Sequence, residues 1–331
     1  MRELRGLIPV VAVLAGLLCL PLVSAREEAA AVSAKVGKGT IDFYAGKQLV
    51  TTYRFDEAQS KPYFYPMYAL PEVEITENGP KDHVHHRSAW FCHGDVIPEG
   101  LELKDKIKNV KGVDFWSENK LAGRIVCVKV EKPKVEKDRV IVVTKNEWRT
   151  RDGTKVLDET RTITFRHLGT DRNLIEIVAD LHASEYPLDF GDTKEGSMGI
   201  RIKDALRVDR KKGGRLTNAE GKQDQKGCWG RVSDWCDYSG PVGEGKTAGL
   251  TVFADPKNAI DTAWHARDYG LLAANPFGRE KHAQFPDRKG KSETVKLKKG
   301  ENLKLRYGLY LHAGDVKQGK VKEAFEAFTG K

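Results

Sequence analysis

No Cys-x-x-Cys pair occurs in this chain, and its five cysteines are scattered. That sets aside zinc ribbons and thioredoxin-type redox sites. The GxGxxG fingerprint, the GxSxG elbow and the HExxH helix are missing as well, and with them the usual marks of NAD chemistry, serine hydrolysis and the familiar zinc proteases. Phosphoryl transfer is set aside on the same reading. No internal repeat and no linker rich in Pro, Gly or Ser divides the 331 residues, so they read as one large domain. The net charge is +9, yet no arginine-rich block with interleaved aromatics carries it. Basic residues mix with acids, as in Glu131-Lys132-Pro133-Lys134-Val135-Glu136-Lys137-Asp138. This is the pattern of solvated strand faces rather than of a nucleic-acid partner.

Long apolar runs are also scarce, with one exception. Gly6 to Leu22 is almost wholly apolar, preceded by Arg2 and Arg5 and followed by Val23-Ser24-Ala25. A positive start, an apolar stretch and small residues at the end make residues 1–25 a cleaved signal peptide. The chain is therefore expected to be exported, to the periplasm or the cell exterior, with no stable membrane span after cleavage. Residues 26–37 read as a flexible leader and 38–331 as the single folded domain. Cys92, Cys127, Cys228 and Cys236 remain after cleavage. An oxidising compartment allows disulfides, and Cys228 and Cys236 are close enough to pair across a hairpin.

What the sequence has in quantity is β patterning. Ile41 to Tyr44 and Gln48 to Tyr53 flank Ala45-Gly46-Lys47 as a hairpin. Arg124 to Val130 alternates, and Val140 to Thr144 is β-branched. Val156 to Phe165 puts Leu157, Glu159, Arg161, Ile163 and Phe165 on one face. Leu174 to Leu181 and Leu303 to Leu311 add two strands. Only Val316 to Phe328 has helical spacing. Strands joined by short turns, with little helix, predict an all-β antiparallel sandwich or barrel with a short C-terminal helix.

Four segments concentrate polar, aromatic and glycine residues instead of alternating. The first, Asp82 to Asp95, holds four of the nine histidines: His83, His85, His86 and His93. Three readings are open for it: a substrate site, a metal site using His83, His85 and His86, or a buried hydrogen-bonded network. The second, Phe190 to Arg201, offers Asp192 and Glu195 between glycines, and Arg201. The third, Trp229 to Gly240, sets Trp235, Asp237 and Tyr238 together in a way that suits a sugar ring, or else a packed strand. The fourth, Thr262 to Gly270, combines His265 with Arg267.

Together these stretches resemble one family. Lys61-Pro62-Tyr63-Phe64-Tyr65-Pro66, Asp82-His83-Val84-His85-His86-Arg87-Ser88, His93-Gly94-Asp95-Val96, Gly112-Val113-Asp114-Phe115-Trp116, Gly191-Asp192-Thr193-Lys194-Glu195-Gly196, Trp264-His265-Ala266-Arg267-Asp268-Tyr269-Gly270 and Asn275-Pro276-Phe277-Gly278 resemble the exported bacterial proteins labelled PmoA-like, or "methane oxygenase PmoA". The methane label is a misnomer on physical grounds, because methane monooxygenase subunits are membrane-embedded and this chain has no span after its signal. The family's pattern is similar to that of galactose-mutarotase-like proteins. The resemblance thus implies an antiparallel β-supersandwich whose concave sheet carries His and carboxylate groups that act on sugars. A charged insertion at residues 97–111 departs from the family's pattern and is expected to alter access to the site.

The leading expectation is a carbohydrate-active enzyme, of glycoside hydrolase, lyase or epimerase type, acting on a glycoside or modified sugar. His85, His86, Glu195 and His265 are the candidate acid/base groups. Arg87, Trp116, Asp192, Arg201, Trp235, Asp237, Tyr238 and Arg267 are the candidate substrate contacts. The partner is a small-molecule or oligosaccharide substrate, and no cofactor is required. The first alternative is a metal-dependent oxidase or hydrolase with a divalent metal on His83, His85 and His86. The second is a non-catalytic sugar-binding module.

Overall fold

A computed structural model describes residues 31–104 and 106–331. The expected signal peptide falls on residues 1–25, outside the described residues. Three antiparallel sheets account for the strands. The first sheet contains β1 (Val32–Gly37), β2 (Thr40–Ala45), β3 (Gln48–Arg54), β4 (Tyr63–Leu70), β5 (Val73–Glu74), β6 (Ala89–His93), β14 (Gly196–Arg201), β18 (Ala263–Ala266) and β19 (Leu271–Asn275). The second contains β8 (Arg124–Val130), β9 (Lys134–Val135), β10 (Arg139–Arg149), β11 (Lys155–His167), β12 (Arg172–His182), β15 (Arg215–Asn218), β16 (Trp235–Gly243), β17 (Lys246–Ala254) and β21 (Asn302–Ala313). A small sheet of β7 (Val96–Pro98), β13 (Leu188–Phe190) and β20 (Val295–Leu297) sits beside them. The helices are α1 (Asp224–Cys228), α2 (Glu280–Ala283) and α3 (Val321–Thr329). No helix among the described residues is long and apolar enough to cross a membrane.

The expected antiparallel β-supersandwich with a C-terminal helix is therefore the fold. The alternating sequences became the strands of the second sheet, where β10 buries every second side chain. Its inner face meets the first sheet through Phe91, whose ring lies 6.2 Å from that of Trp148 and 6.1 Å from that of Tyr307. Arg161 crosses the same interface. It is bonded to Glu159 at 2.6 and 2.9 Å and to the Tyr53 hydroxyl at 3.1 Å. A buried guanidinium needs such a full set of partners. On the outer face, Val321, Phe325 and Phe328 of α3 pack on Trp235, Phe253 and Tyr310. Each large apolar side chain so buried contributes about 1.5–3 kcal/mol.

Three expectations need correction. Residues 32–37 are not part of a flexible leader but form β1, paired residue for residue with β2. The polar segments around Gly196 and Ala263 do not interrupt strands; they are β14, inside the sheet, and β18, its last strand, both buried on both faces. A strand covered on both sides has no reason to alternate, so its pattern hid it. Finally, Gly240-Pro241-Val242-Gly243-Glu244-Gly245-Lys246-Thr247 spells the GxxxxGK[ST] phosphate-loop string, which the reading passed over. It is the turn joining β16 to β17, with positive φ at Gly243, Glu244 and Gly245. No helix follows it, so its amides do not form a phosphate cradle. The four cysteines are free thiols.

Candidate functional site

The site lies on one face of the first sheet. The register sets Trp90 opposite Gly199, Gly199 opposite Ala273, and Ala273 opposite His265. These four side-chain positions form one row across four strands. Gly199 is needed there, because a Cβ would come within 2.8 Å of the Trp90 ring and 3.1 Å of the Trp116 ring. The indoles can therefore settle onto the sheet.

The histidine segment stacks on this floor. His86 lies against Trp90 at 5.5 Å, His83 stacks on His86 at 4.5 Å, and Tyr269 stacks on His83 at 5.0 Å. Arg201 is fully buried beneath, donating to Asp82 at 2.8 and 3.0 Å and to Nδ1 of His86 at 3.3 Å. A guanidinium can only donate, so Nδ1 of His86 is bare and its neutral ring carries the proton at Nε2. Burial, with the neighbouring charges of His85, His83 and Arg201, pushes the His86 pKa far below its usual value. His86 is thus a neutral Nε2–H donor rather than a ready base. Burial would raise the Asp82 carboxyl, but hydrogen bonds from Arg201 and His83 hold it down at about 2. His85 meets His86 edge-on at 4.6 Å and is only half-buried. Burial and the Lys61 charge lower its pKa to about 4, so it is neutral at pH 7.

His83, His85 and His86 do not form a ligand set. Parallel stacking of His83 on His86 aims their nitrogens side by side instead of at one point, and among the described residues no group of three His, Cys, Asp or Glu side chains could hold a metal ion. Arg87 is also otherwise engaged. Its Nε donates to Glu118 at 2.8 Å, and a second nitrogen closes a fork on the same carboxylate. Buried Lys61 joins them at 3.2 Å. The sequence reading missed both Glu118 and Lys61, since neither belongs to a histidine-rich string.

Beside this stack a cleft of about 450 Å³ opens, lined by Lys111, Asp192, Lys194, Glu195, Trp229, Arg267 and His282 among others. Asn109, Val110 and Lys111 of the charged insertion also form part of its wall. Gly94 lets Glu195 in, for a Cβ at that position would lie 2.8 Å from the Glu195 Cβ. The Glu195 side chain is 31% exposed and lies 3.1 Å from Lys194 Nζ and 3.9 Å from His265 Nδ1. Burial raises its pKa above the ordinary carboxylate value, and the Lys194 charge opposes that rise only in part.

His265 is locked. Arg267 Nε donates to its Nε2 at 3.2 Å, so the ring proton is on Nδ1, which meets the Lys194 carbonyl at 3.0 Å. Burial, reinforced by Arg267 and Lys194, keeps it neutral. Both nitrogens are in use, and His265 positions Arg267 and Lys194 instead of transferring protons. Arg267 lies flat over Trp229, 3.8 Å from the ring centroid. With Nε taken by His265, the terminal nitrogens remain for a ligand in the cleft. Trp229 was inside a quoted segment but was passed over in favour of Trp235.

The remaining candidates fall elsewhere. Asp192 lines the cleft, but its oxygens accept from the backbone N–H groups of Arg279, His282 and Ala283 at 2.6, 2.9 and 3.2 Å, fixing α2 as the cleft wall. Trp116 is buried against Trp90, 4.9 Å between ring centres, and offers no open face for a sugar. Arg201 is sealed beneath His86. Trp235, Asp237 and Tyr238 belong to β16 in the second sheet. Trp235 packs under α3, and the Tyr238 hydroxyl donates to the Arg267 carbonyl. Asp237 is fully buried, bonded to Ser239 at 2.7 Å, Thr251 at 2.9 Å and His312 at 2.9 Å.

These features define an antiparallel β-sandwich protein with a carboxylate and an open arginine in a cleft at the edge of one sheet. The chain belongs to a family of unknown function, DUF6807, whose profile matches residues 40–326. No curated protein matches it. Among solved structures, a GalM/aldose epimerase homologue from C. elegans is similar over 85% of this chain and 99% of its own, with 10% identity and a TM-score of 0.32. At that score the likeness carries no argument, and the functional reading rests on the residues of the cleft.

Proposed function

We propose that the protein is a carbohydrate-active enzyme in which Glu195 transfers the proton and Arg267 anchors the substrate. The observation that carries this reading is Glu195 itself. It is a carboxyl with a raised pKa, reachable from a cleft of about 450 Å³, beside a guanidinium with unfilled nitrogens. A carboxyl whose pKa is raised by burial holds its proton more readily than a free glutamate and can act as acid or base. The cleft volume falls in the range that encloses a small ligand such as a sugar.

In this reading the three histidines expected beside Glu195 as acid/base groups, His85, His86 and His265, have other duties. His265 fixes Arg267, and Arg267 binds a substrate oxygen or acidic group through its terminal nitrogens. His86, neutral and buried, and half-buried His85 remain in the aromatic stack beside the cleft. The reaction is an acid–base step at a sugar carbon or glycosidic oxygen, as in hydrolysis, elimination or epimerisation.

The test is turnover of the purified protein against aldoses, glycosides and uronides, followed by NMR for anomeric exchange, new reducing ends and new double bonds. The reading expects turnover of at least one class, with an acid limb above the ordinary glutamate pKa. Saturable sugar binding with no turnover across the panel would contradict it in favour of a binding module.

A further inference from the structure

A second cationic centre lies behind α2, outside the cleft. Arg279 and Arg288 are 7% and 3% exposed. All their hydrogen bonds run to backbone carbonyls. Arg279 reaches Glu293 at 2.8 Å and both Pro276 and Gly278 at 3.0 Å, and Arg288 reaches Asp261. Nε of Arg288 is buried without a partner.

None of the nearby carboxylates forms a hydrogen bond with either guanidinium among the described residues. Asp192 holds backbone N–H groups of α2, Asp287 pairs with Arg231 at 2.7 Å, and Glu280 accepts from Gly290 N. Asp261 and Glu293 lend the arginines only their carbonyls, and both residues are exposed. Two neighbouring buried cations with no directly bonded counter-charge are unfavourable. Burial pushes both guanidinium pKa values down, and the Arg279 charge lowers that of Arg288 further; Asp192 opposes this at Arg279, and Asp261 and Asp287 at Arg288, only in part.

Both arginines face a cavity of about 510 Å³ that is also lined by Lys291, Ser292 and Thr294 and, on the acidic side, by Asp261 and Glu293. Guanidinium forks match the paired oxygens of a carboxylate, sulfate or phosphate, and hydroxyls can complete the shell. We infer that this cavity is an oxyanion-binding site, with the anion held between Arg279 and Arg288 and capped by Ser292 and Thr294. Such an anion supplies a counter-charge bonded directly to both guanidinium groups and ties the 279–294 segment together. That segment carries α2, whose His282 and Ala283 wall the cleft. The anion is either a free inorganic ion or an acidic group on a glycan.

The test uses the full chain, melted and titrated calorimetrically with sodium sulfate and sodium phosphate against sodium chloride at equal ionic strength. A saturable rise in melting temperature with one-site binding is expected for sulfate or phosphate and not for chloride. Arg288→Gln should lose the response. Where that variant does not fold, Ser292→Asp serves instead. It places a carboxylate in the cavity, so its melting temperature should rise without added anion and the anion response should vanish. Arg267→Ala should keep the response, because the cleft is a different site, so this result stands whether or not the cleft reading does. Sulfated or uronate oligosaccharides that compete with sulfate would identify a glycan-borne anion, and failure to compete would identify the free ion. No stabilisation beyond chloride overturns the inference. So does a response that persists in Arg288→Gln or Ser292→Asp, or one that disappears only in Arg267→Ala.

Discussion

Two regions of this molecule are built from the same residue types and have opposite characters. In the cleft, Glu195, His265 and Arg267 meet at the edge of the first sheet. In the second sheet, Asp237, His312, Thr251 and Ser239 meet on β16, β17 and β21. Asp237 and His312 side chains are both 0% exposed and 2.9 Å apart. Two glycines make the room: a Cβ on Gly249 would lie 2.5 Å from the His312 ring, and one on Gly319 would lie 2.2 Å from it. The Asp237 oxygens are filled by three partners. The cleft retains a half-open carboxyl and unused guanidinium nitrogens. A His–carboxylate pair alone does not mark an active site; access and unfilled hydrogen-bonding capacity do.

That contrast can be broken at several points. The largest expected effect on stability is at Asp237. Asp237→Ala leaves His312, Ser239 and Thr251 without their buried acceptor and should cost roughly 3 kcal/mol or more in denaturant unfolding, as for other broken buried pairs. A loss under 1 kcal/mol would show that the network contributes little. Next is Gly319→Ala, where the new methyl meets an imidazole that has no space to move. Overpacking of this kind costs about 1–3 kcal/mol, and a melting temperature equal to that of the parent would contradict the tight approach of Gly319 to His312.

Acid should act first on histidines outside the Asp237 network. The folded-state pKa of His85 is about 4 and that of His93 about 3, against 6.5 for an open imidazole, with burial the main cause in both. Below pH 6.5 the unfolded chain takes up protons that the folded histidines refuse. Stability is therefore fully present above 6.5 and falls as the pH drops toward 4. Melting curves at pH 7 and pH 5 should differ accordingly, and identical curves would mean that these rings are charged or open when folded. A smaller effect is expected at Trp229. Trp229→Ala removes the surface under Arg267, worth about 0.5–2 kcal/mol in such pairs. It should weaken substrate affinity more than it slows the bound complex, read as a KM-against-kcat split.

The fold was largely legible in the sequence, because the second sheet has one face toward the core and the other toward solvent or α3, and its strands alternate. The first sheet was harder. Its strands β14 and β18 are covered on both sides, and their glycines and polar residues read as loops. The same burial blurred the site. Glu195, His86, His265 and Arg267 were visible as unusual residues in unusual company. The sequence could not show that Arg201 and Asp82 hold His86, or that Arg267 occupies His265, because those contacts join distant segments. Asp237 and Tyr238 were mistaken for site residues because aromatics beside an acid look alike whether they face a cleft or a core. Lys111 carried no signal of its own, and Trp229 only that of its aromatic segment; the fold brings both to Glu195.

The most direct measurement compares Glu195→Gln with Asp237→Asn, reading turnover on the sugar substrate and melting temperature in each. The account predicts that Glu195→Gln melts with the parent protein and loses turnover at least a hundredfold, about the low end of what a positioned acid/base group contributes. It predicts that Asp237→Asn melts well below the parent and turns over normally at temperatures where it is folded. Full turnover in Glu195→Gln, or a specific loss of turnover in a stably folded Asp237→Asn, would contradict it.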